Sequence, residues 1–140
     1  MAVISKAKAT WSGSIKDGGG RMEFGNGAYH GEFTLASRFE TGKGTNPEDL
    51  LAAAHAGCFS MQLSGVLTGA GTPPKAIHTT AEVTIKAGEG ITGIALATEG
   101  EVPGIDAAAF KEAAEKARDI CPVSKALKAV GNITVSAKLV

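Results

Sequence analysis

The 140-residue chain has no excess of charge of either sign: fourteen lysines and arginines balance fourteen aspartates and glutamates. It therefore lacks the basic field that a nucleic-acid-binding domain presents. Cysteine is scarce. The two residues, Cys58 and Cys121, lie in distant segments and form no CxxC, which excludes a disulfide-dense secreted scaffold. The three histidines add no metal-ligand spacing, so no metal site is expected. The N-terminal MAVISKAKATW lacks a charged segment followed by a long apolar run, and neither end carries a lipidation motif; a cytoplasmic protein is expected. The glycines match neither the P-loop nor the Rossmann pattern. Aromatic residues are few, at 5%. Leu, Ile, Val and Phe together number thirty, just above the roughly 20% level below which disorder is expected. Alanine and glycine add forty-three residues. Such a core of small side chains offers little apolar area per residue, and a second copy of the chain is expected to help bury it.

What is present reads as one domain over residues 1–140, with no repeat or linker. Trp11 to Ile15, Arg21 to Gly25 and Gly31 to Phe39 are expected strands, with a turn over Lys16 to Gly20. Asn46-Pro47-Glu48-Asp49 is a helix start: Asn46 can cap, Pro47 suits the first helical position, and two acids meet the positive end of the dipole. The helix should run to about Thr68, before Gly69, Gly71 and Pro73-Pro74. Its stretch from Leu50 to Leu67 has no formal charge. That is the lower edge of a membrane span by length. His55, Gln62, two serines and the small residues make a buried helix of a soluble domain the better expectation. Ile77 to Lys86 and Ile91 to Thr98 follow as strands. Asp106 should cap a helix with Phe110, Ala113, Ala114 and Ala117 on one stripe, ending near Ile120. Cys121-Pro122 starts a short helix to about Val130, and Ile133, Val135, Ala137 and Leu139 alternate in a last strand. Strands, a long helix, strands, helices and a strand make an α+β domain with antiparallel sheet.

Four side chains could carry chemistry. Cys58 lies in the middle of the long helix, where a lone cysteine is commonly a small buried hydrophobe. As a nucleophile it would need a cation from elsewhere, because the helix dipole has faded at that depth. Cys121, just before Pro122, can sit at a helix start, where free N–H groups favour a thiolate suited to disulfide exchange. Arg38 is either a solvated edge arginine or a permanent cation aimed at Cys58. Glu48 is either a dipole-matched acid or the group that fixes Arg38 in direction. Glu48 and Cys58 are ten residues apart on one helix, about 15 Å along its axis and about 80° around it. They cannot share a site within one straight helix. If both act at one site, Glu48 and Arg38 come from a second chain, as in a symmetric dimer, or from a loop folded far back. His55, three residues before Cys58, is expected to be a packed, hydrogen-bonded histidine rather than half of a Cys–His pair.

Arg38-Phe39-Glu40, Gly44-Thr45-Asn46-Pro47-Glu48, Ala53-Ala54-His55-Ala56-Gly57-Cys58-Phe59-Ser60-Met61, Val102-Pro103-Gly104-Ile105-Asp106 and Cys121-Pro122-Val123-Ser124 occur in that order. Together they resemble the OsmC/Ohr family of thiol-dependent peroxidases, nearly end to end, and the osmotically inducible protein C branch more than the organic hydroperoxide resistance branch. In the latter the arginine lies earlier, in a glycine-rich segment, which makes Arg21 after Gly18 to Gly20 a weaker candidate. The resemblance implies an intertwined homodimer, with curved sheets around paired central helices and two sites at the interface. It implies Cys58 as the peroxidatic cysteine, Cys121 as the resolving cysteine, and Arg38 and Glu48 as the charged pair.

The activity so implied is reduction of organic hydroperoxides, and less well of hydrogen peroxide, through a Cys58 sulfenic acid and a Cys58–Cys121 disulfide. No bound cofactor is implied. The reductant is an external thiol or dithiol such as protein-bound lipoyl. The main rival from a different class is a non-enzymatic, stress-induced dimer that binds small apolar ligands, with both cysteines inert in the core. A Cys–His hydrolase using His55 ranks lower, because no third group is evident to orient the histidine.

Overall fold

A computed structural model describes all residues 1–140. The chain divides into two compact units, Met1–Leu50 and Leu51–Val140.

The first unit is a three-stranded antiparallel meander, β1 (Ala7–Ser12), β2 (Gly19–Phe24) and β3 (His30–Phe33), in the order β1-β2-β3. β1 runs over Ala7–Ser12 where Trp11 to Ile15 was expected, because Ala7-Lys8-Ala9-Thr10 alternates without any large apolar side chain to mark it. Gly19 and Gly20, expected in a turn, belong to β2. A Cβ on Gly20 would lie 2.5 Å from the Phe33 ring, so glycine is required for that aromatic to cross the strand. Phe33 in turn packs on Trp11, with ring centroids 5.5 Å apart. No apolar side chain of this unit is fully buried; its buried residues are Ser37 and Glu48.

The expected strand over Gly31 to Phe39 is a correction. It stops at Phe33, and Leu35–Phe39 forms a short helix, α1. The cause is local. Thr34 Oγ1 accepts from the Ser37 N–H at 3.0 Å and Ser37 Oγ accepts from the Thr34 N–H at 2.9 Å, a reciprocal capping box that outweighs the apolar alternation. Arg38 therefore projects from a helix and not from a strand face.

Helix α2 (Pro47–Gly69) begins in the first unit and continues in the second. Asn46 caps it as expected, its Oδ1 accepting from the Asp49 N–H at 2.7 Å. It is long and apolar enough to cross a membrane by length and composition, a test that core helices also pass.

The second unit holds β4 (Ala76–Lys86), β5 (Gly90–Glu101), α3 (Ala107–Ile120), α4 (Pro122–Ala126) and β6 (Ile133–Leu139). Its sheet has the order β4-β5-β6. β4 and β5 are antiparallel, but β6 lies parallel to β5, so the sheet is mixed where an antiparallel one was expected. The helical crossover through α3 and α4 is what allows a parallel return. Asp106 Oδ1 caps α3 by accepting from the Ala109 N–H at 2.8 Å, and Phe110, Ala114 and Ala117 turn inward. Phe110 packs closely on β5 because residue 100 is glycine; a Cβ there would lie 2.5 Å from its ring. The core gathers Phe59, Leu63 and Leu67 of α2, Leu96 of β5, Val102, the α3 stripe and Cys121.

Candidate active site

The first unit builds one half of the predicted residue set. Arg38 Nε donates to both carboxylate oxygens of Glu48 at 3.1 Å, and Nη2 donates to Oε1 at 2.7 Å. Glu48 is buried while the Arg38 side chain is 39% exposed. The carboxylate thus takes Nε and one edge of Nη2. It leaves Nη1 and the other Nη2 hydrogen free to meet an anion. Glu48 raises the Arg38 pKa further, and the guanidinium is a permanent cation. Its carbon lies 5.3 Å from the centre of the Phe39 ring, a stacking contact that restricts it further.

The backbone under this pair is tied from both sides. Ser37 Oγ donates to the Thr45 carbonyl at 2.8 Å, and Asn46 Nδ2 donates to the Ser37 carbonyl at 3.2 Å. The residues before Arg38 and before the α2 start are therefore fixed to each other. Gly44 makes the loop between them possible: its φ is +116°, and a Cβ would lie 2.6 Å from the Glu32 carbonyl oxygen. Arg21, the weaker candidate, is held at the surface of β2 between Glu23 at 3.5 Å and Glu32 at 3.9 Å.

The second unit brings the two cysteines together across 63 positions of sequence. Cys58 Sγ and Cys121 Sγ are 3.2 Å apart, and both are free thiols. A disulfide needs about 2.05 Å, so only a small closure would be required for a bond to form once one of the sulfurs has been oxidised. Cys58 is half-buried on α2, and Cys121 is fully buried between α3 and α4. Pro122 opens α4 at its first position and leaves the following N–H groups free beside the sulfurs.

The two thiols are not equivalent. Burial pushes the Cys58 pKa up, the Val123 N–H offsets part of that, and Cys121 adds to the rise. Burial is also the largest influence on Cys121 and pushes it up. It is outweighed by the Ser124 N–H, the Cys58 thiol, the Ser124 hydroxyl and the Val123 N–H, which together bring Cys121 below its ordinary value. Either sulfur can donate the shared proton, and the N–H groups around Cys121 favour it on Cys58. Within one chain, the groups acting on Cys58 include no cation.

His55 is fully buried, and its Nε2 lies 2.7 Å from Ser124 Oγ. Burial lowers its pKa, so the ring is neutral near pH 7. It is the packed, hydrogen-bonded histidine expected, with a partner that the sequence reading did not name. Ser124 occupies the third position of α4, after Cys121 and Pro122. Cys-Pro-x-Ser at a helix start is the signal that could have marked it, since the third helical position faces the cap.

A model of the family described as OsmC-like protein matches residues 40–136. The chain is 47% identical over 133 residues to peroxiredoxin OsmC of Escherichia coli strain K12, covering 92% of this chain and 93% of that protein. It is 36% identical over 104 residues to the organic hydroperoxide resistance protein of Xanthomonas axonopodis pv. citri, covering 70% of this chain and 68% of that protein. Among solved structures, the OsmC-like protein of Mycoplasma pneumoniae superposes with a TM-score of 0.77 at 18% identity, over 100% of this chain and 99% of that chain, a likeness of fold.

Proposed function

This chain belongs to the OsmC-like protein family, and on that premise we propose that it is a cysteine-based peroxidase that reduces organic hydroperoxides to alcohols. The observation that carries the reading is the pair of free thiols in contact, Cys58 and Cys121, 3.2 Å apart, in a chain with one relative named a peroxiredoxin and another named for organic hydroperoxide resistance.

Cys58 acts as the peroxidatic thiolate. Its sulfur attacks one peroxide oxygen, the O–O bond breaks, the alkoxide leaves with a proton as alcohol, and Cys58 becomes a sulfenic acid. Cys121 then attacks that sulfur. A Cys58–Cys121 disulfide forms, the S–O bond breaks, and the oxygen leaves as water. An external dithiol of the lipoyl type reduces the disulfide, so no bound cofactor is required. Arg38 supplies the cation that Cys58 lacks and stabilises charge on the parting peroxide oxygens, and Glu48 holds it in direction. Phe39, Leu51 and Met61 provide apolar surface that favours an organic group over hydrogen peroxide.

The working unit is a homodimer in which Arg38 and Glu48 of one copy meet Cys58 of the other. Three observations support this. Glu48 and Cys58 are too far apart along α2 to act on one atom within a copy. The first unit has no fully buried apolar side chain, and a three-stranded sheet without a covered face is marginal. On α2, Ala53, Gly57, Met61 and Gly65 form an exposed row at helical spacing, with Met61 at 75% exposure. The protein works in the soluble phase of the cytoplasm, its apolar helix serving as core and not as a membrane span.

Mixing Arg38→Ala chains with Cys58→Ser chains tests the arrangement. The Cys58→Ser parent should be inactive and the Arg38→Ala parent strongly slowed. Heterodimers should regain about one site in two, because one of the two shared sites is intact. Demonstrated heterodimers without activity would refute the shared site. Full turnover by Cys58→Ser alone would refute the chemistry.

A further inference from the structure

Cys121 is a joint between two helices. It closes α3 and opens α4, with non-helical backbone between them (φ −57°, ψ +124°). α4 has five residues and no side-chain cap at its start. The chain alone therefore leaves its direction loosely fixed. Apart from the thiol contact, one side-chain hydrogen bond ties α4 to α2: His55 Nε2 lies 2.7 Å from Ser124 Oγ, and both residues are buried. Burying two polar groups costs desolvation that is offset only in the geometry that pairs them. The cycle derived above gives this pair no task.

The pair stands one turn from the sulfurs on both elements. On α2, His55 and Cys58 are three residues apart on one face, about 4.5 Å along the axis. Across from them, Cys121 and Ser124 are three residues apart over the first turn of α4. The Cys58–Cys121 contact and the His55–Ser124 bond are thus two rungs between the same two segments. Disulfide formation shortens the first rung from 3.2 Å to about 2.05 Å, and the second rung holds the segments together while it does. Burial also places the proton on that second rung. His55 Nδ1 has no hydrogen-bond partner. A proton there would be an unpaired buried donor, so the neutral ring carries its proton on Nε2 and donates it to Ser124 Oγ.

We propose that His55 and Ser124 are positioning residues for resolution: their hydrogen bond pins the start of α4 to α2 and so keeps Cys121 within reach of Cys58 while Cys58 is a sulfenic acid. This rests on the peroxidase reading above. In the resolving step Cys121 Sγ bonds to Cys58 Sγ, the Cys58 S–O bond breaks, and the departing hydroxide takes up the proton Cys121 has lost. Cys121 is oxidised to the disulfide level and the sulfenic sulfur is reduced to it. His55 and Ser124 exchange neither proton nor electron in that step. They supply a preformed approach of the two sulfurs, so resolution needs no local unfolding of α4.

The test separates the two chemical steps and couples the two residues. Reduced protein is mixed with one equivalent of cumene hydroperoxide. Sulfenic acid is trapped with dimedone, and disulfide is followed by intact mass over time. Ser124→Ala and His55→Leu should each slow disulfide formation about tenfold, with Cys58 sulfenic acid accumulating. Formation of that sulfenic acid should change far less. The double variant should be no slower than either single one, because both remove the same bond. Ser124→Thr, which keeps the hydroxyl, and His55→Gln, which keeps an N–H donor, should each recover part of the loss. Either single variant closing its disulfide as fast as the parent overturns the proposal, as do single effects that multiply in the double variant. Should the variants fail to fold, hydrogen exchange of the parent decides. The Lys125 and Leu127 N–H groups, bonded to the Cys121 and Val123 carbonyls, should be equally protected in the reduced and disulfide forms, and loss of that protection on oxidation overturns the pinning. A parent protein that forms no disulfide at all overturns this proposal together with the peroxidase reading, a result distinct from the others.

Discussion

Replacing Arg38 by methionine isolates what a cation contributes to Cys58. Burial holds the Cys58 pKa above its ordinary value. A thiol of ordinary pKa, about 8.5, is only about 3% ionised at pH 7, so Cys58 without a cation falls below that. Half-ionisation at pH 7 needs a shift of at least about 1.5 units, or about 2 kcal/mol. A guanidinium about 4.5 Å from the sulfur supplies about 3.7 kcal/mol at an effective dielectric constant of 20, and partial exposure of Arg38, at 39%, reduces that toward the required figure. Arg38→Met should therefore lower the rate of peroxide reduction by at least about sixteenfold at pH 7, from half-ionised to about 3% or less. The sign with pH is fixed: a thiolate stabilised by a cation is present above its depressed pKa. The parent rate should be about half its plateau at pH 7 and level off above it, while the variant rate should still climb above the ordinary thiol range. The assay is single-turnover reaction of a Cys121→Ser background with an organic hydroperoxide between pH 5 and 10. Superimposable pH profiles of parent and variant would refute the reasoning, as would a variant that is equally slow at every pH.

Cys121→Ser should give one turnover and a Cys58 sulfenic acid that dimedone traps, whereas unchanged steady-state turnover would show that resolution does not need Cys121. Glu48→Gln keeps the shape but removes the charge from a buried position that accepts three Arg38 contacts; it should cost about 1–2 kcal/mol in denaturant unfolding, discounted for the exposed half of the pair, and lower activity with it. The buried His55 has a pKa lowered by desolvation, so its folded value lies below the unfolded one. Stability should be complete above about pH 6.5 and fall as pH drops toward the folded value; His55→Gln should flatten that part of the stability–pH curve, and an unchanged slope would assign the titration to another group.

Much of the framework is readable from local sequence because local groups determine it. Asn46 and Asp106 each satisfy orphan N–H donors of the helix they precede, and the alternation of Ile77, Ala81, Val83 and Ile85 appears in β4 as a half-buried face. α1 shows how a pattern misleads. Phe33, Leu35 and Phe39 alternate as in a strand, yet the Thr34–Ser37 box, four residues long, decides the conformation. The parallel return of β6 leaves no local mark, since Ile133 to Leu139 alternates equally well in either direction.

The site divides in the same way. Arg38, Glu48, Cys58 and Cys121 were identifiable by chemistry and context, and the structure joins them as two pairs. Ser124 is marked in the sequence only by its place in Cys121-Pro122-Val123-Ser124; its contact with a histidine 69 positions away follows from tertiary packing and from no local pattern.

The most direct test of the peroxidase cycle is to mix fully reduced protein with one equivalent of a bulky organic hydroperoxide and measure intact mass and free thiols. The account predicts a loss of about two mass units, both thiols consumed and no link between chains, as an intramolecular Cys58–Cys121 disulfide requires. Unchanged mass with both thiols still titratable would contradict it, and would return Cys58 and Cys121 to the role of inert core residues in a ligand-binding dimer.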